Sequence, residues 1–172
     1  MRLSILWKVG ICAAVIGLVV ALAAACSSGP KTAQVLILDA NTVIGSAGVK
    51  NPQDICVVSS RFQQGLTVVW QIKVYDPATG KPMDDKALDS VVVSLKDGQT
   101  FEAHYGPHPG APPGQPQPPP TDYFWTSAWG IPNDYPTGSV PFTVTAKSKD
   151  GRAGTFSEFN VAPALLTVVA AQ

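Results

Sequence analysis

The only two histidines of the chain, His104 and His108, lie four residues apart in Ala103-His104-Tyr105-Gly106-Pro107-His108. Imidazole binds zinc or copper well, but such a site needs a third or fourth ligand, here Cys56 or an aspartate. Gly106-Pro107 is expected to break the strand between the two histidines. No Cys-x2-Cys or His-Glu-x2-His pattern accompanies them, so surface or structural histidines are the commoner reading of the pair. A blue-copper site is disfavoured because Cys56 is early in the chain and Met83 falls in a turn region. Asp84, Asp85 and Asp89, with Asp76 upstream, could offer oxygens to calcium, yet their spacing fits no EF-hand loop and reads as a solvated acidic stretch. The aromatic-dense stretch with Tyr123, Phe124, Trp125, Trp129 and Tyr135 could stack on sugars or grip a proline-rich partner. Alternation sets Tyr123 and Trp125 on one face and Phe124 on the other, so part of this set must be core, packed against Trp70. Catalysis finds no signature: there is no Gly-x-Ser-x-Gly elbow and no phosphate-binding glycine loop. No enzyme activity and no cofactor are expected.

Between the histidines and the aromatics lies a proline-rich segment. Residues 107–120 hold eight of the sixteen prolines: Pro107, Pro109, Pro112, Pro113, Pro116, Pro118, Pro119 and Pro120. Proline cannot donate to a strand ladder, so an exposed, partly polyproline-II loop is expected, either a tolerated insertion or a stiff arm for a partner. Pro107, Pro109, Tyr123, Trp125 and Trp129 are therefore the candidate partner-binding residues, and His104 and His108 the candidate metal ligands.

The elements that must position these residues read as short strands. Leu66 to Tyr75 alternates, with Val68, Trp70, Ile72 and Val74 on one face. Ser90 to Leu95 alternates too, and Lys96-Asp97-Gly98-Gln99 reads as a hairpin turn leading into Thr100 to Tyr105. Val140, Phe142, Val144 and Ala146 share a face, with Pro141 implying an edge or a bulge. Val35–Val43, Ile55–Ser60, Tyr123–Trp129, Thr155–Val161 and Leu165–Val169 complete about eight strands, at spacings typical of a β-sandwich. Lys86 to Asp89 could form one helical turn; no longer helical period appears in 31–172, which argues against βαβ units. Cys56, in an apolar run, reads as a buried thiol.

The first 25 residues differ in kind. Arg2 and Lys8 precede an uncharged run from Val9 to Ala25, and Leu22-Ala23-Ala24-Ala25-Cys26 closes it with small residues before a cysteine. This resembles a bacterial lipoprotein signal with its lipobox, although Leu22 sits one position earlier than the family's usual leucine. The resemblance implies cleavage before Cys26 and lipidation of that residue. An uncleaved anchor helix is the alternative, since Val9 to Cys26 is near the lower limit for a bilayer span. Residues 26–31, including Ser27-Ser28-Gly29-Pro30, would then tether a domain at 32–172 to the membrane. The exported 147 residues carry ten Lys and Arg against twelve Asp and Glu, a charge of −2. That balance leaves nucleic acid without an electrostatic footprint.

Tyr135 to Ala146 followed by Lys149-Asp150-Gly151, and Val74-Tyr75-Asp76 followed by Thr79-Gly80-Lys81-Pro82, resemble hairpins of bacterial immunoglobulin-like domains. The resemblance implies an all-β fold, a single immunoglobulin-like antiparallel β-sandwich preceded by the N-terminal apolar segment. The expected function is a membrane-anchored, extracytoplasmic, non-enzymatic recognition or assembly module of the bacterial cell envelope, at the outer or the cytoplasmic membrane, working with another envelope protein. The alternatives are a periplasmic metal-handling or redox accessory using His104 and His108, and a carbohydrate-binding module using Trp125 and Trp129.

Overall fold

In the computed structural model, residues 35–108, 122–159 and 165–171 are described. The signal or anchor segment with Cys26, the tether at 26–31, and Pro109 with most of the proline-rich segment fall outside them. The described residues build an all-β unit of eleven strands: β1 (Ile37–Ile44), β2 (Arg61–Gln63), β3 (Thr67–Tyr75), β4 (Leu88–Leu95), β5 (Thr100–Glu102), β6 (His104–His108), β7 (Asp122–Gly130), β8 (Gly138–Ser139), β9 (Phe142–Ser148), β10 (Ala153–Ser157) and β11 (Thr167–Val169). Two four-stranded antiparallel sheets run in the orders β1-β3-β7-β6 and β10-β9-β4-β5. A small third sheet, β2-β11-β8, contains a parallel pair, β2 with β11.

Alternation explains the core. In β3, Val68, Trp70, Ile72 and Val74 are buried, and in β4 and β9 so are Val91, Val93, Leu95, Phe142, Val144 and Ala146. These rows face one another across the two sheets, since Trp70 stacks on Phe101 of β5 at 5.8 Å and meets Phe142 edge-on at 5.7 Å. At the β1–β10 junction, Leu36 donates to the Ala153 carbonyl. Gly154 lets the chains approach there, because a Cβ at that position would collide with the Leu36 carbonyl oxygen.

The strand count exceeds the expectation because two continuous alternating runs change sheets. Thr100 to His108 is one extended stretch that leaves the second sheet at Ala103 and joins the first as β6; the Ala103 amide still bonds Val91 of β4. Pro141 divides β8, paired with β11, from β9, paired with β4, while its carbonyl accepts from Lys96. The proline thus marks a change of sheet. The Asp97-Gly98 turn forms as expected, with Gly98 at φ +94°.

Three local expectations are corrected. Ile55–Ser60 is a turn region with one bridge, Val58 to Val43. Asn51 caps a 3-10 turn at Pro52–Asp54, and Cys56 then turns left-handed at φ +64° and donates to Ile44. The Cys56 thiol is consequently exposed and free, not buried. The single turn expected at Lys86–Asp89 is present but lies slightly earlier: the Asp84 carbonyl accepts from the Ala87 and Leu88 amides, its carboxylate caps the turn through the amides of Lys86 and Ala87, and Leu88 already starts β4. Finally, Gly106-Pro107 does not interrupt β6. Pro107 lies on an edge strand opposite Tyr123, where its missing N–H is tolerated.

Strand direction gives the first sheet a defined end. Ile37 pairs with Tyr75 and His108 with Asp122, and the β3–β7 register continues these pairs into one row. The start of β1 and the end of β6 therefore lie at the same end of the sheet.

Candidate functional site

The β6–β7 hairpin brings most of the candidate residues together, on two faces with different chemistry. Trp125 and Trp129 point into the core and are only 6% and 4% exposed. Trp125 donates its indole N–H to the Met83 carbonyl at 3.0 Å, and Trp129 packs edge-on against Tyr135 at 4.8 Å. Neither ring offers a face to a sugar or a peptide, so both are corrected from candidate binding residues to core. Their inward phase follows from pairing: Trp125 opposes Ile72, and Trp129 opposes Val68.

Tyr123 shares the inward phase but sits toward the end of the hairpin. It is 44% exposed and stacks on Tyr105 at 5.6 Å, beside exposed Pro107. Burial raises the Tyr105 hydroxyl pKa, and the negative charges of Asp84 and Asp85 add to the shift. The hairpin thus ends in an aromatic and proline surface, and the chain runs from it directly into the proline-rich residues.

The outward face is polar around one ring. Phe124 has the Lys73 ammonium over it at 4.7 Å and the His108 ring edge-on at 5.6 Å. Lys73 also bonds Asp122 at 2.5 Å, which raises the lysine pKa and lowers that of the aspartate, the latter helped by the Tyr123 amide. His108 Nε2 lies 3.2 Å from Gln71 Nε2. Lys73 and Gln71 were legible only as outward positions of the strand; nothing local ties them to residues some 50 positions later.

His104 and His108 do share this outward face, because β6 is continuous. Four residues of strand separate them by about 13 Å at roughly 3.3 Å per residue, and His108 is turned toward β3. They are not brought to a common point, which corrects the paired-ligand expectation. Among the described residues, no three His, Cys, Asp or Glu side chains are grouped to hold a metal ion. The chain matches no family model, no curated protein and no solved structure.

Of the acidic stretch, the Asp76 and Asp84 carboxylates are committed to structure, Asp84 in the turn before β4. Asp76 pairs with Arg152 at 3.2 Å, and Arg152 also pairs with Asp150, whose carboxylate accepts from Ser148 Oγ. The guanidinium, with the serine, holds the Asp150 carboxyl far below the usual range, and the Asp76 carboxyl is lowered by the same arginine. This network stitches the turn after β3 to the turn after β9.

Proposed function

We propose that this chain is a lipid-anchored, extracytoplasmic, non-enzymatic recognition or assembly module of a bacterial cell envelope, built on a single immunoglobulin-like β-sandwich. The lipobox-like run ending at Cys26 supports the anchor. Two facing antiparallel sheets closed over Trp70, with a strand that passes from one sheet to the other, support the immunoglobulin-like reading.

The observation that carries the recognition role is the end of the β6–β7 hairpin. Tyr105 and Pro107 of the edge strand β6 and Tyr123 of the adjoining β7 form an apolar surface, and the proline-rich residues follow β6 in the sequence. A stiff, proline-rich connection loses little entropy on docking, and an aromatic base beside it adds contact area. The expected partner is another envelope protein.

The test replaces residues 109–121 with a short Gly/Ser turn, keeping Pro107 and His108 in β6, and cross-links native membranes before and after. Loss of a specific cross-linked partner at unchanged protein level supports the reading. An identical partner set, with Tyr123→Ala also without effect, removes this surface from the function.

A further inference from the structure

The opposite edge of the same sheet carries a second surface. On the side away from β3, β1 is tied down only at its ends. Leu36 donates to Ala153; Thr42 accepts from Ser59, and Ile44 both donates to Val57 and accepts from Cys56. In an antiparallel ladder the N–H and C=O of one residue point the same way, and the direction alternates along the strand. Leu38 and Ala40 share the phase of Leu36, Thr42 and Ile44, so their polar backbone groups also point away from β3. Among the described residues no strand pairs with them there, because β1 is the last strand in the order of its sheet.

From Asp39 to Thr42 this edge forms one wall of a cleft of about 260 Å³, lined also by Val58, Phe142, Phe156, Glu158 and Phe159. Val58 is 70% and Phe159 73% exposed, which is a high exposure for apolar side chains flanking one groove. Nearby Val35, Ile37 and Val57 are exposed as well. Among the described residues, the charged groups lining the cleft are Asp39 and Glu158, with no Lys or Arg. Glu158 Oε2 accepts from the Leu166 amide at 3.1 Å, whereas Oε1 is buried without a hydrogen-bond partner. Among the described residues neither Asp39 nor Glu158 has an ion-pair partner, so a ligand cation would compensate charge that the fold leaves unpaired.

We propose that this cleft docks an extended peptide segment of a partner protein, which adds a short strand to β1 at Leu38–Ala40, places apolar side chains against Phe156, Phe159 and Val58, and directs a lysine or arginine to Glu158. The stretch of β1 that lines the cleft, residues 39–42, is about 14 Å long at roughly 3.4 Å per residue, which accommodates about four residues of added strand. Walls on both sides admit a single strand more readily than the edge of a second copy's sheet. This surface is separate from the β6–β7 hairpin, so the two readings stand or fall independently.

The test uses the full chain in detergent with labelled seven-residue peptides alternating valine and threonine around one central lysine. Fluorescence anisotropy should show binding at least tenfold tighter than for the same peptides with glutamate. N-methylation of alternate peptide amides should weaken binding by at least tenfold, and bound peptide should slow hydrogen exchange at the Leu38 and Ala40 amides. Ala40→Pro removes the edge donor without touching the β3 ladder and should abolish binding; Glu158→Gln should erase the preference for lysine while exchange protection persists. Equal binding of N-methylated peptides, equal binding of the glutamate series, or unchanged exchange at Leu38 and Ala40 overturns the proposal. So does protection of those amides by self-association in the absence of peptide. The exchange measurement decides the matter on the unmutated chain should Ala40→Pro fail to fold.

Discussion

Trp70 shows how a single residue sets the terms of the core. It is fully buried between Phe101 and Phe142, yet its indole N–H has no partner. Trp70→Ala should cost about 3–5 kcal/mol in urea unfolding, in the range for deleting a large buried ring. Trp70→Phe removes an unpaired donor together with part of the ring, so its cost should be clearly smaller, about 1–2 kcal/mol. A loss as large as that of the alanine variant would mean that the indole N–H is satisfied by buried water. Glu158 supplies a pH signature. Burial raises its pKa above the ordinary 4.5, against the opposing amides of Leu166 and Phe142. The unfolded chain then releases this proton at lower pH than the folded chain does. The Glu158 contribution is therefore greatest below 4.5 and is lost as pH rises through the unfolded and then the raised folded pKa. Relative to Glu158→Gln, the wild-type Tm should fall between pH 4 and pH 7. Comparing the two proteins isolates this effect from Asp76, Asp97, Asp122 and Asp150, whose lowered pKa values act in the opposite sense, their stabilisation being lost as pH falls. A constant difference across that range would remove burial as the cause.

At the scale of elements, the turns carry separable contributions. Gly98 closes the β4–β5 hairpin at φ +94°, and the Asp97 carboxylate beside it accepts from the Gln99 amide and from the Tyr135 hydroxyl. Burial and the Asp97 carboxylate push the tyrosine up to about 12. Gly98→Ala should destabilise by about 1 kcal/mol, because alanine resists the left-handed region. At Gly154 the problem is space, not φ. Gly154→Ala should pry β10 from the start of β1, seen as faster exchange of the Leu36 amide with little change elsewhere. Strands with clean alternation, β3, β4, β7 and β9, were legible in the sequence because one face is buried and the other solvated. The turn at 52–57 was not: Ile55, Val57 and Val58 are apolar yet exposed, so composition pointed to a strand where Asn51-Pro52 and the left-handed Cys56 dictate a turn. The inward phase of Trp125 was legible too. Its depth was not, because burial depends on Met83 arriving from the β3–β4 connection and Tyr105 from β6. The β1 cleft left no sequence signal at all, since Asp39, Val58, Phe142 and Glu158 meet only in three dimensions.

At the largest scale, the two four-stranded sheets of the described residues are held together by chain that belongs to both. Thr100 to His108 spans them at Ala103, and the Asp76–Arg152–Asp150 network joins turns from each. Unfolding followed by tryptophan fluorescence and by far-UV circular dichroism should give coincident midpoints; separate transitions would show that the sheets open independently. Anchoring belongs to this scale as well. Cys26→Ala should move the protein from the membrane fraction to the soluble extracytoplasmic fraction if lipid is the attachment, whereas an unchanged distribution would point to a retained apolar helix.

The shared end of the first sheet has a topographic consequence. The chain enters β1 at Ile37 and leaves β6 at His108 in the same row of strands. Three strand-to-strand steps of about 4.8 Å set these two points roughly 14 Å apart across the sheet. Exposed Ile37 and exposed Tyr123 therefore belong to one end of the domain, and a probe attached at either position would report on the surroundings of both.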